Sequence, residues 1–175
     1  MTILKNTNYM DGGMKMNIKY DTLKETLDKM ASLHHTLSTM ESCTGGGLSS
    51  VITNVPGASE VFHFGAVTYT NEYKTKMGVD PRIIEKFGVY SMETSKAMAK
   101  AICQMTGSDI GIGISGNLNL VDPVENKGGV IYFSIYQLVE KKFYSKVLTI
   151  NKPKREDSKK AIINIIIETL HSIYF

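Results

Sequence analysis

A hydroxyl and a thiol stand side by side at Ser42 and Cys43, directly before the run Thr44-Gly45-Gly46-Gly47. The apolar residues around them predict a strand that ends near Met40 and a helix that begins beneath the glycines. Backbone N–H groups in the first turn of a helix lack partners, so this turn could hold a phosphate or the oxyanion of an attacked amide. The competing interpretation makes Ser42 a helix cap and Cys43 a buried core thiol.

A second group of candidates lies in Tyr69-Thr70-Asn71-Glu72-Tyr73-Lys74, which we expect to end the second strand. A serine hydroxyl is too weakly acidic to attack an amide unaided. A lysine whose pKa is lowered by burial or by a neighbouring cation can remove the hydroxyl proton. Tyr69 could orient or relay that proton. In the alternative interpretation, Lys74 is a solvated surface lysine and Tyr69 an ordinary strand aromatic.

The histidines and cysteines argue against a metal site. The four histidines are scattered and form no H-x-x-x-H or H-E-x-x-H pattern; they are His34, His35, His63 and His171. The two cysteines, Cys43 and Cys103, lie far apart and form no C-x-x-C pair. We therefore expect neither a metal site nor a redox motif, and a reduced, cytoplasmic protein.

The letters of Gly111-Ile112-Gly113-Ile114-Ser115-Gly116 match the dinucleotide fingerprint G-x-G-x-x-G. The first two glycines fall inside an expected buried strand, and residues 117–123 do not open a helix that could hold a pyrophosphate. We therefore interpret the match as accidental. Residues 115–129 are expected to form a polar loop that either covers a pocket or only connects two strands. Arg155, at the opening of the last helix, could donate to a phosphate or could be a solvated helix start.

The elements that must position these residues alternate between helix and strand. The apolar spacing predicts helices from Tyr20 to about Leu33, from Asp80-Pro81 to near Gly88, from Ser91 to about Met105 and over Arg155–Tyr174. It predicts strands at Thr36–Met40, Val61–Thr70 and Ile110–Ile114, and a hairpin of Val130–Val139 with Phe143–Ile150. This order indicates an α/β layered domain with a mixed sheet.

Composition limits the class of protein. The 175 residues, 42% of them hydrophobic, suit one ordinary core. A formal charge of +3, from 20 basic and 17 acidic residues, suits a phosphorylated small molecule at least as well as nucleic acid. No array of aromatic and basic residues favours nucleic acid, and no apolar run reaches the roughly 18 residues that a membrane-spanning helix needs.

Six segments keep an order and a spacing that together are typical of one family. They are Met40–Gly46, Val55–Ser59, Val67–Lys74, Gly78-Val79, Gly88 with Ser91, and Ala97–Ala99. In this register the chain resembles the C-terminal domain of the competence/damage-inducible CinA family, from about Tyr20 to the C-terminus. The resemblance implies a three-layer α/β/α single domain with a mixed, mostly parallel sheet. We place that domain at residues 18–175, after a flexible leader at residues 1–17.

The resemblance also implies an activity and a site. The activity is hydrolysis of the carboxamide of nicotinamide mononucleotide to nicotinic acid mononucleotide and ammonia, without a metal or another cofactor. By resemblance, Ser42 is the nucleophile, Lys74 its base and Tyr69 the assisting phenol. The residues implied to contact the nucleotide are Thr44, Gly45, Gly46, Ser115, Gly116 and Arg155. The resemblance implies a homodimer as well. From the composition we expect no nucleic-acid or membrane partner.

The chain departs from the family in one loop. Active members follow Ser/Thr-Gly with Ile-Ala-Gly-Pro, a glycine-rich stretch and Lys-Pro-Val-Gly. This chain carries Asn117-Leu118-Asn119-Leu120-Val121-Asp122-Pro123 and then Lys127-Gly128-Gly129. Two alternatives therefore stay open: a catalytically silent nucleotide-binding protein, and a serine amidase that acts on another amide.

Overall fold

The computed structural model describes residues 17–119, 128–150 and 152–175. Within these ranges the helices are α1 (Tyr20–Ser32), α2 (Gly47–Thr53), α3 (Asn71–Lys76), α4 (Pro81–Phe87), α5 (Met92–Thr106) and α6 (Arg155–Tyr174). The strands are β1 (Leu37–Glu41), β2 (Phe62–Val67), β3 (Ile110–Gly116), β4 (Val130–Gln137) and β5 (Lys142–Thr149). None of the described helices combines the length and apolarity needed to span a membrane.

The strands form one sheet in the order β2-β1-β3-β4-β5. β1 pairs in parallel with β2 and β3, whereas β4 is antiparallel to both β3 and β5. Glu41, the last residue of β1, is in register with Val67 of β2 and Ile114 of β3. The carboxyl ends of these three strands therefore meet at one edge of the sheet, which is where open α/β sheets place their ligands.

Helices cover both faces of the sheet. On one face, α1, α2 and α6 bury an apolar core that includes Leu27, Ile112 and Ile166. On the other face, Met98 and Ile102 of α5 pack with Met40. This arrangement confirms the expected three-layer α/β/α fold with a mixed sheet, in which β4 alone among the described strands runs against the others.

The glycines of β3 allow α5 to lie directly on the sheet. A Cβ atom at Gly111 would collide with the backbone oxygen of Ala99, and one at Gly113 with that of Ser95. The alternation of Ile and Gly in this strand therefore reflects close packing of backbone, as expected, and not a dinucleotide turn.

Two local predictions are wrong. The second strand ends at Val67, and Lys74 lies on the helix α3, which Thr70 caps by accepting a hydrogen bond from the Tyr73 N–H. Ser115 and Gly116 belong to β3, so the polar loop begins after them. Arg155 is the first residue of α6, as the expected helix over Arg155–Tyr174 has it. Of the expected leader, all but residue 17 lies outside the described residues, as do residues 120–127 of the loop.

Candidate active site

Ser42 and Lys74, 32 positions apart in the chain, meet at the carboxyl edge of the sheet. The Lys74 Nζ lies 3.2 Å from the Ser42 Oγ. Both residues are buried, with 6% of Ser42 and 1% of Lys74 exposed. Ser42 follows β1, and its N–H donates to the Ile114 carbonyl of the neighbouring strand β3. A nucleophile and a potential base are therefore within hydrogen-bond reach, which is the arrangement that serine activation needs.

The backbone around Thr68 brings Lys74 to this position. The Thr68 N–H donates to the Glu41 carbonyl over 2.8 Å, which extends the β1–β2 pairing one residue past β2. The Thr68 carbonyl then accepts a hydrogen bond of 2.7 Å from the Lys74 Nζ. Because α3 begins immediately afterwards, its lysine side chain folds back over the strand end toward Ser42.

Burial lowers the pKa of Lys74 below the 10.5 of a free lysine, and the nearby Cys43 opposes this only in part. Desolvation penalises the charged ammonium and so favours the neutral amine. A neutral amine has two N–H donors and one lone pair. It can donate to the Thr68 carbonyl and still accept the proton of the Ser42 hydroxyl.

Cys43 is an unfavourable nucleophile although it lies next to Ser42. The pKa of its thiol is raised to about 11, chiefly by burial and to a smaller extent by the Glu41 carboxylate, while nearby backbone N–H groups and Lys159 partly oppose the shift. The reactive form of cysteine is the thiolate, which this environment suppresses at neutral pH. The arrangement therefore favours Ser42.

The glycine run forms a tight turn between β1 and α2. Gly45 and Gly46 have φ angles of +62° and +86°, in the left-handed region that side chains disfavour. The Gly45 N–H donates to the Ser42 carbonyl, and the Gly47 N–H to that of Thr44. These bonds turn the chain sharply after the nucleophile and start α2 at the edge of the sheet.

The first turn of α2 is not free to hold an anion, contrary to the expectation from sequence. The buried Glu41 carboxylate accepts hydrogen bonds from the backbone N–H groups of Leu48 and Ser49, over 3.1 and 2.8 Å, and from the Ser49 hydroxyl over 2.6 Å. Sequence reasoning missed this role of Glu41. The carboxylate lies six residues before α2 begins, outside the local spacing by which a capping box is identified.

A cavity of about 230 Å³ opens onto Ser42 and Lys74. Its walls are largely polar, which suits a hydrophilic ligand. The other residues that line it are Cys43, Tyr69, Asn71, Val89, Tyr90, Gly116, Asn117, Leu118, Asn119 and Arg155. Asn71 belongs to the candidate segment Tyr69–Lys74, and Asn119 to the polar loop that was expected either to cover a pocket or to connect two strands. Tyr90 carried no signal in the sequence, because single aromatic residues in loops are common.

The structure brings only some of the predicted site residues to this cavity. Gly116 and Arg155 line it, whereas Thr44, Gly45, Gly46 and Ser115 are absent from its walls. Ser115 instead donates its hydroxyl to the Val89 carbonyl over 2.6 Å, which holds in place the segment that carries Tyr90. The Thr44 hydroxyl is buried without a hydrogen-bond partner among the described residues.

Tyr69 lies at the mouth of the cavity with 66% of the residue exposed. Among the described contacts its phenol makes no hydrogen bond to Ser42 or Lys74. The assisting role of Tyr69 therefore stays a prediction.

Two cations of α6 flank the site. Arg155 donates from Nη1 to the Asn119 Oδ1 over 3.1 Å at the cavity wall. Lys159, one turn further, places its Nζ 3.2 Å from where a Cβ of Gly45 would be. In the described part of the chain, no three His, Cys, Asp or Glu side chains come together in an arrangement that could hold a metal ion.

Comparison with known proteins identifies the family. The family model for the CinA C-terminal domain matches residues 20–174. A protein of Moorella thermoacetica, named provisionally as a competence-damage inducible protein, is 43% identical over 118 residues, which are 66% of this chain and 28% of that protein. A CinA-like protein of Kosmotoga olearia is 43% identical over 103 residues, 58% of this chain and 25% of that protein. The aligned stretch thus spans about a quarter of the length of these relatives.

A solved structure agrees with the fold. The competence or damage-inducible protein from Enterobacter asburiae superposes with a TM-score of 0.82 at 24% identity, over 91% of this chain and 99% of that one. At this identity the likeness shows the fold alone. The family model matches residues 20–174, most of the chain, and this match leads to one conclusion: the chain belongs to the CinA C-terminal domain family.

Proposed function

We propose that this protein is a metal-independent amidohydrolase with Ser42 as nucleophile and Lys74 as general base. The observation that carries the proposal is the 3.2 Å approach of the Lys74 Nζ to the Ser42 Oγ at a polar cavity, with burial lowering the pKa of the lysine. A serine beside an amine of lowered pKa is a recognised way to activate a hydroxyl without a metal.

The proposed reaction has two steps. Neutral Lys74 takes the Ser42 proton as the Oγ attacks the carbonyl carbon of the amide. The tetrahedral intermediate then expels its nitrogen, which receives the proton from the Lys74 ammonium and leaves as ammonia, so that an ester remains on Ser42. In the second step a water molecule gives a proton to Lys74 and attacks the ester. Release of the acid returns the proton to the Ser42 oxygen.

For the substrate we propose nicotinamide mononucleotide, as the resemblance to the family implies. The polar cavity, with Tyr69 and Tyr90 in its walls and Arg155 at its edge, supports a ligand that combines an aromatic ring with an anionic group. As part of the same proposal, the protein acts as a homodimer in the cytoplasm. Light scattering at assay concentration tests the dimer. We expect it to give twice the mass of the 19.4 kDa chain.

The test is ammonia release from nicotinamide mononucleotide in the presence of EDTA. We expect Ser42→Ala to lose at least about 10³-fold in kcat and Lys74→Met about 10²- to 10⁴-fold. Ser50→Ala, an exposed serine on α2, and Lys76→Met, an exposed lysine on α3, are the matched controls and should keep wild-type rates. Equal activity in Ser42→Ala and Ser50→Ala would overturn the mechanism.

The alternatives give different outcomes in the same assays. Tight binding of the nucleotide by calorimetry without ammonia release would indicate a silent binding protein. Ammonia release from other pyridine or purine amides, but not from the mononucleotide, would keep the Ser42 chemistry and change the substrate.

A further inference from the structure

We infer that Glu41 is a positioning residue that holds Ser42 and Lys74 at hydrogen-bonding distance from each other. This inference rests on the proposed function of that pair. The Glu41 side chain binds the helix that follows Ser42, and its backbone binds the residue that holds Lys74. One residue thus connects both members of the pair.

The side-chain connection fixes the turn after the nucleophile. Glu41 is fully buried, and its carboxylate accepts from the N–H groups of Leu48 and Ser49 and from the Ser49 hydroxyl. Among the described residues it has no cationic partner, so these three hydrogen bonds are what compensates its burial. The Ser42-to-Gly46 turn is therefore closed at its base by a bond between β1 and α2.

The backbone connection fixes the lysine. The Glu41 carbonyl accepts from the Thr68 N–H over 2.8 Å, and the Thr68 carbonyl accepts from the Lys74 Nζ over 2.7 Å. A shift of Glu41 would move Thr68 and therefore the amine. The distance between Nζ and Oγ is consequently set from both sides by the same residue.

The neighbouring edge strand leaves room for this network. The Ser49 hydroxyl also lies 2.8 Å from the Thr39 hydroxyl. A Cβ at Gly65 of β2 would lie 2.5 Å from the Ser49 Oγ and 3.0 Å from the Thr39 Oγ1. Because Gly65 has no side chain, the Ser49 hydroxyl that donates to Glu41 has room beside it.

A carboxylate suits this site better than an amide, because all three groups that face it donate. In Glu41→Gln the amide oxygen can still accept both bonds from Ser49, but its NH₂ group then faces the Leu48 N–H. The substitution keeps the shape of the side chain and removes one bond, so the fold should survive while the turn loosens.

The experiment compares Glu41→Gln with Asn164→Ala. Asn164 is buried on α6 and binds the backbone of Asn17 and Lys19, so its removal should lower stability without loosening the turn. For Glu41→Gln we expect kcat to fall about tenfold to a hundredfold, with KM within about twofold and the pH midpoint of activity unchanged. Amide hydrogen exchange at Leu48 and Ser49 should accelerate in this variant only. For Asn164→Ala we expect a lower Tm and an unchanged kcat per folded molecule.

Labelling of Ser42 by a fluorophosphonate, followed by intact mass, separates this inference from the choice of substrate. We expect Glu41→Gln to label at least tenfold more slowly than wild type and Asn164→Ala at the wild-type rate. Wild-type kcat, labelling and exchange in Glu41→Gln would overturn the positioning role while leaving the proposed function in place. A wild-type protein that neither labels nor releases ammonia would overturn the proposed function, and the positioning role with it.

Discussion

The Lys74 Nζ donates to the backbone carbonyl of Thr68 over 2.7 Å. A carbonyl can only accept, so this bond occupies an N–H of the amine and leaves the lone pair of the neutral form for another partner. That partner is the Ser42 hydroxyl, 3.2 Å away. The direction of the hydrogen bond between Lys74 and Ser42 therefore depends on whether the lysine is protonated. The activity should depend on the protonation state of Lys74 in the same way.

The first prediction concerns the pH dependence of activity. Only neutral Lys74 can accept the Ser42 proton, so kcat/KM should rise with pH until the lysine has lost its charge. Because burial lowers the pKa of Lys74, the midpoint of this rise should lie below 10.5. Initial rates of ammonia release from pH 6 to 10.5 measure it. A midpoint at or above that of a free lysine would contradict the assignment of Lys74 as the base.

The second prediction concerns stability. In the window between the lowered pKa of folded Lys74 and 10.5, the unfolded chain binds a proton that the folded chain does not. The free energy of unfolding of the wild type should therefore rise with pH across that window, through this residue. Lys74→Met lacks this contribution, so its stability relative to the wild type should be greatest near pH 7 and should fall as the pH approaches 10.5.

Urea unfolding of wild type and Lys74→Met at several pH values measures this difference. Comparing the two proteins removes the contribution of Cys43, whose raised pKa lowers stability as the pH rises from 9.0 toward about 11 in both. A constant difference across pH 7 to 10.5 would mean that Lys74 is not desolvated in the folded protein.

The third prediction concerns the thiols. Burial raises the pKa of both Cys43 and Cys103 to about 11, so both should resist alkylation at pH 8 in the folded protein. Iodoacetamide followed by intact mass should detect reaction only after unfolding. Cys43→Ala should keep kcat within about threefold, since the thiol is not the nucleophile. Loss of activity in this variant with an unchanged fold would move the chemistry from Ser42 to Cys43.

The fourth prediction concerns substrate selection. If Arg155 receives a phosphate, Arg155→Met should raise KM for nicotinamide mononucleotide about tenfold and leave that for the riboside, which lacks the phosphate, unchanged. Asn119→Ala should have a smaller effect in the same direction, because Asn119 accepts a hydrogen bond from the guanidinium and so orients it. Arg82→Met is the matched control, since Arg82 of α4 is exposed and is paired with Asp80, the residue before that helix. An equal rise in KM for both substrates would exclude a phosphate contact.

The sequence predicted the larger elements because their apolar spacing is regular. The long helices α1, α5 and α6 begin and end within about two residues of their expected positions. The layered arrangement follows from the same alternation of helix and strand. These features depend on local pattern and on burial, both of which a single sequence carries.

The region around Lys74 was harder to predict. Tyrosine is common in strands, so Tyr69 and Tyr73 favour a strand. The helix α3 has only six residues and is capped by Thr70. A helix this short has little periodicity to detect. The pairing of Lys74 with Ser42 was expected from the resemblance. The hydrogen bond from Lys74 to the Thr68 carbonyl was not expected, because every residue has a backbone carbonyl and the sequence does not mark which one accepts.

Glu41 shows a second limit of sequence reasoning. Its carboxylate caps α2 from the end of the preceding strand, across a turn of five residues, 42–46. That contact depends on how the glycines fold the chain back, with positive φ at Gly45 and Gly46. Local spacing rules describe neighbours along a helix and do not extend over such a turn.

The most direct test of the central claim is detection of the ester on Ser42. Wild-type protein is mixed with nicotinamide mononucleotide, quenched in acid within milliseconds to seconds, and digested for mass spectrometry. We predict that the peptide containing Ser42 carries the mass of the nicotinate mononucleotide acyl group, and that Ser42→Ala, mixed in the same way, carries none. Turnover with no ester at Ser42 at any quench time, or with the adduct on Cys43, would contradict the account.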